Sequence, residues 1–136
     1  MTRRPIDPAT HGLIDYAFAA AHALAPSVLG LTGPARGLCY AFSAATLAIN
    51  ALTDHRNGVD KVIPFRRHGE LETPFFPAIA LLPALTGAAD QRAARAYFAL
   101  YFLLGAANYL LTDYNAYEPK KSHPGGQAAV EWAGIA

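Results

Sequence analysis

The sequence predicts an all-α protein: a four-helix transmembrane bundle built from two tandem helical-hairpin repeats. Three observations predict it. Charged residues make up 15% of the chain and hydrophobic ones 53%, whereas soluble domains average roughly 25% charged. Four stretches, 16–35, 37–53, 73–89 and 96–112, carry no Asp, Glu, Lys or Arg. Their lengths fit the roughly 17–25 residues that a membrane-crossing helix needs. The two halves also resemble each other at a shift of about 57 residues, and such repeats fix architecture.

Helix one follows Arg3 and Arg4 and opens with His11 and Asp15. Asp15 interrupts the apolar run where a cleaved leader would have its core, so the segment reads as a retained helix. His22 is the only other ionisable side chain before Ala35 besides Tyr16, and it reads as a buried, hydrogen-bonded histidine. Helix two offers only Ser43, Thr46 and Asn50 as a polar face, too few for water on one side. Cys39 is the single cysteine, which excludes an internal disulfide or a paired-cysteine zinc site.

The connection 55–67 mixes Arg56, Lys61, Arg66 and Arg67 with Val62, Ile63 and Phe65. It reads as an amphipathic stretch in the headgroup layer, favouring anionic lipid. Helix three carries Pro74, Pro77 and Pro83, which should kink it. Helix four is apolar all round, from Phe98 to Leu104. The tail 114–136 contains Pro124, Gly125 and Gly126 and reads as flexible, with an apolar patch around Trp132. Trp132, Arg66 and Arg67 are the candidate contacts to lipid or a partner.

Four spans place the N-terminus, the central connection and the C-terminus on one side. That side holds Arg3, Arg4, Arg56, Lys61, Arg66, Arg67, Lys120 and Lys121, against Arg36, Arg92 and Arg95 opposite. Basic residues favour the cytoplasm, so both termini are expected there, in a bacterial inner membrane. The net charge is only +1 and there is no basic tract, which argues against a nucleic-acid partner.

The repeat divides the chain into unit one (11–54), the connection (55–67), unit two (68–113) and the tail. His11-Gly12 matches His68-Gly69, Asp15 matches Glu72, and Pro26 matches Pro83. Leu52-Thr53-Asp54 matches Leu111-Thr112-Asp113, and Asn50 matches Asn108. Two hairpins of even span number run the same way through a membrane, as a parallel repeat. His11 to Tyr16, the mid-helix prolines, Leu-Thr-Asp, and Gly58-Val59 with Lys61 to Pro64 resemble the SPW-repeat family of small bacterial and archaeal membrane proteins. Ala25-Pro26-Ser27 and Leu82-Pro83-Ala84 stand where that family has Ser-Pro-Trp. The resemblance implies the four-helix membrane fold and no activity.

The ionisable residues gather at one end of the predicted bundle. His11 and Asp15 lie four apart on one helix face, as do His68 and Glu72. With Asp54 and Asp113 they form an expected structural polar network. His11, Asp15, His68 and Glu72 are also donor types that suit zinc, manganese or iron. No Glu-x2-His pair accompanies them, so no metal or other cofactor is assigned from the sequence. Phosphate loops, nucleophile elbows and nucleophile–base pairs are absent. The sequence therefore points away from an enzyme and towards an accessory or scaffold subunit of a larger membrane complex, with lipid and other subunits, or copies of itself, as partners. A small transporter or ion-conducting protein using buried carboxylates is the alternative, and a metal-binding membrane enzyme the second.

Overall fold

A computed structural model describes residues 4–116. The fold is helical. The first helix, α1 (Pro8–Leu29), starts with proline inside its first turn, where no N–H is missed. Asp7 caps it by accepting from the Thr10 N–H at 2.7 Å, which holds the Asp7 carboxyl below its usual range. Gly30, with φ of 64°, ends it in the left-handed region, where glycine has no steric penalty. Helix α2 (Gly33–Leu52) returns along α1.

The chain then passes through a two-residue strand, β1 (Thr53–Asp54), which pairs in parallel with β2 (Ile63–Pro64). Ile6 makes a like parallel bridge to Thr112 at the other chain exit. Its amide donates to the Leu111 carbonyl at 3.1 Å, and its carbonyl accepts from Asp113 N–H at 2.9 Å. The approach to each of His11 and His68 is thereby tied to the exit of a long helix.

Helix α3 (Phe65–Glu72) is short and separate from α4 (Phe75–Leu85). Of the third apolar stretch, 73–89, only Phe75–Leu85 is α-helical. Pro74 stands at the break, and Gly87 (φ 76°) leads into a single 3-10 turn, Ala88–Asp90. Eleven helical residues span roughly 16 Å, about half a bilayer core. Helix α5 (Arg92–Leu111) packs on α4 and touches α1. At this far end Gln91 clamps Thr32, accepting from its N–H and donating to its carbonyl, both at 3.0 Å. Among the described residues only α1 is long and apolar enough to cross a membrane.

Burial is inverted at many positions. Leu24, Val28, Leu81, Leu85, Leu103 and Leu110 are exposed, whereas His11, His22, Asn50, His55, His68 and Asn108 are buried. Aromatic and small residues fill the apolar part of the core, including Phe42, Phe98, Ala35 and Ala94.

Candidate metal centre

His11 sits in the first turn of α1, and Asp15 one turn later. His68 and Glu72 hold the same i, i+4 relation on α3. The packing brings the two pairs face to face. His11 Nε2 lies 3.1 Å from His68 Nε2, 3.3 Å from Asp15 Oδ2 and 3.4 Å from Glu72 Oε1. His68 Nε2 lies 3.1 Å from Asp15 Oδ2 and 3.6 Å from Glu72 Oε1. One donor atom from each of the four residues falls within 4.8 Å of all the others.

The far nitrogens determine what the near ones offer. Thr112 Oγ1 donates to the Asn108 carbonyl and Thr53 Oγ1 to the Ile49 carbonyl, each at 2.6 Å. Each hydroxyl has spent its only proton, yet lies 2.8 Å from His11 Nδ1 and His68 Nδ1 respectively. It must accept there, so both Nδ1 atoms carry hydrogen. In the neutral rings both Nε2 atoms then present lone pairs, to each other and to two carboxylates. Four acceptors this close, with five of their six separations at 3.1–3.6 Å, demand positive charge between them.

Protons answer part of that demand. An Nε2–H, however, points along one line and cannot serve three neighbours equally. A divalent ion at the centre can. A tetrahedral ion with bonds of about 2.0–2.2 Å has donors roughly 3.3–3.6 Å apart, which is close to the spacing here.

The surrounding residues fix the donors. Phe65 stacks on His68 with ring centroids 5.7 Å apart and meets His11 edge-on at 5.5 Å. Tyr114 donates its hydroxyl to Glu72 Oε2, and burial together with that carboxylate pushes the phenol pKa up. Asn108 Nδ2 donates to Asp15 Oδ1 at 3.3 Å.

His55 is buried nearby but belongs to a different arrangement. Its Nε2 faces two acceptors, Asn50 Oδ1 at 2.9 Å and the Asn50 carbonyl at 3.1 Å, so it carries the hydrogen. Its Nδ1 accepts from Asn57 N–H at 3.1 Å. Burial lowers its pKa, and the ring is a neutral strut, not a metal donor. His22 lies deeper, with Nδ1 2.8 Å from Tyr97 Oη and no partner for Nε2 among the described residues.

Of the six residues expected in a polar network, four converge. Asp54 and Asp113 stand outside the cluster, because α2 and α5 end one residue before Thr53 and Thr112 and the chain leaves in extended form. The threonines take the contact with histidine that sequence reasoning gave to the aspartates. Asp113 instead accepts from Asn115 N–H at 3.1 Å. Arg66 and Arg67 are exposed on α3, and Arg67 pairs with Glu70 of its own helix. Trp132 lies outside the described residues. Thr53, Thr112, Phe65 and Tyr114 were missed; the repeated Thr-Asp was the available signal for the first two. No family model, curated protein or solved structure matches the chain.

Proposed function

We propose that this chain is a small integral membrane protein that holds one divalent metal ion, of the zinc class, between His11, Asp15, His68 and Glu72. The carrying observation is the convergence of two imidazole Nε2 atoms and two carboxylates, with one ligand atom from each residue within 4.8 Å of all the others. Histidine and carboxylate donors of this number suit zinc, and the Nδ1–threonine bonds are the outer-shell contacts that orient metal-binding histidines.

Exposed leucines over a polar interior support the membrane setting, since a soluble chain would place them the other way. In this reading the helices form a four-span bundle of two tandem hairpin units in the inner membrane, with both termini and the metal centre on the cytoplasmic side. The matching bridges at Ile6–Thr112 and Ile63–Thr53 support the repeat. The short α4 is completed as a crossing by α3 on one side and the 3-10 turn on the other. An accessory-subunit role draws on the apolar tail around Trp132, whereas the metal site draws on four converging side chains. Neither reading requires the other to fail.

The test is metal titration of the detergent-purified, chelator-stripped full-length chain. One Zn²⁺ per chain is expected, with affinity reduced at least about a hundredfold by His68→Ala, beyond the roughly 10–100-fold typical of losing an outer partner. A folded wild-type chain that binds zinc no better than His68→Ala overturns the proposal.

A further inference from the structure

The two asparagines that face this end of the fold are used differently. Asn50 is fully engaged: Nδ2 donates to the Gly12 carbonyl at 2.9 Å and Oδ1 accepts from His55. Asn108 donates Nδ2 to Asp15 Oδ1, but its Oδ1 is buried with no partner among the described residues. The amide cannot simply be turned over, because its oxygen would then face the acceptor Asp15. The residue that would match His55 is Tyr114, and its hydroxyl is taken by Glu72.

Asn108 lines a cavity of about 30 Å³. Three of the four metal donors, Asp15, His68 and Glu72, line the same cavity, with Phe18, Ile79 and Tyr101 among the remaining walls. That volume is enough to admit a water molecule. Beside the metal donors, Thr46, Tyr101 and Asn108 bring polar atoms to walls that are otherwise apolar.

We propose that the metal carries an exogenous oxygen ligand in this cavity, a water that donates a hydrogen bond to Asn108 Oδ1. This rests on the metal reading above. A metal-bound water directs a lone pair at the ion and is left with hydrogens to donate, so it needs an acceptor, and Asn108 Oδ1 is an unused one. The four protein donors alone would fill a tetrahedral site, so the water is a fifth ligand, and a site with one exchangeable water is of the open kind. The ion also acidifies that water, and a small anion or a substrate oxygen would enter by displacing it.

Co²⁺ replaces zinc in the test, with the full-length chain in detergent. Its visible absorption reports whether the ion is bound, and no such band at one equivalent defeats the metal reading itself. With the ion bound, the low-temperature electron paramagnetic resonance lines are compared in ordinary and ¹⁷O-enriched water. Broadening in the wild type is expected, with its loss in Asn108→Leu and an accompanying more intense, four-coordinate visible band. Bound Co²⁺ with no broadening in the wild type overturns the water ligand, and this holds even if the variant fails to fold. Equal broadening in Asn108→Leu overturns the role of Asn108.

Discussion

The two halves of the molecule deliver the same chemistry by different means. In the first, His11 and Asp15 ride on one uninterrupted helix, Pro8–Leu29. In the second, His68 and Glu72 ride on eight residues that stop before the apolar Phe75–Leu85. Pro74 stands at the position that Ala17 occupies in the first half, and Pro77 at that of Ala20. A proline supplies no N–H and crowds the preceding turn, so the second half breaks where the first continues. The exits differ too, with His55 after Thr53-Asp54 and Tyr114 after Thr112-Asp113. His55 consumes Asn50, whereas Tyr114 turns to Glu72, and Asn108 Oδ1 has no partner among the described residues. The two histidine–carboxylate couples therefore meet alike, while the contacts around them differ from one half to the other.

The largest effect should come from the glycine after each histidine. A Cβ at Gly12 would overlap the His55 ring, and one at Gly69 would fall 2.7 Å from Tyr114 Cδ1. Overpacking of this kind costs about 1–3 kcal/mol. Gly12→Ala should lie at the upper end, because His55 is fully buried and held by bonds at both nitrogens. Gly69→Ala should lie lower, since Tyr114 is only half-buried. Thermal unfolding in detergent checks both, and a larger loss at Gly69 would reverse the proposed ranking of the two halves.

Next comes the symmetric part. Thr53→Val and Thr112→Val each remove the acceptor that fixes a histidine Nδ1–H, and each should weaken zinc by roughly 10–100-fold. Similar losses would show that the donor set is equivalent across the halves. Unchanged affinity in either variant would mean that its threonine does not orient the histidine.

The smallest effect is on pH dependence. His55 has a pKa lowered by burial from 6.5, so folding favours its neutral form. Its contribution is complete above pH 6.5 and is lost as pH falls through the lower folded value. Tyr114, with its pKa raised, stays protonated across that range. Comparing metal-free wild type with His55→Gln should show the stability gap narrowing from pH 7.5 to 5.5. A constant gap would remove the titration argument.

Much of the site was legible as pairs. His-x3-Asp and His-x3-Glu put each donor couple on one helix face because an α-helix turns every 3.6 residues. What was not legible is which acids complete the set. Asp54 and Asp113 looked equivalent to Asp15 and Glu72 in type and in end of the molecule. They fall outside because helices α2 and α5 stop at Leu52 and Leu111, and one further extended residue redirects a side chain by about half a turn of backbone alternation. The third apolar stretch was legible as apolar and proline-rich, but not as an eleven-residue helix, since proline permits either a kink or a break.

The sequence alone determined the helical class, the charge-free stretches, the two histidine–carboxylate couples and the duplicated Thr-Asp exits. These are local properties, set by composition and by spacing along one element. Only the tertiary structure decided that His11 and His68 face each other at 3.1 Å, that Thr112 serves His11 and Thr53 serves His68, and that Asn108 keeps an unused oxygen beside them. Those relations join atoms 15 to 101 residues apart. They are fixed by how the halves pack and by which ring occupies the space beside Gly12 and Gly69, which no spacing within a helix encodes.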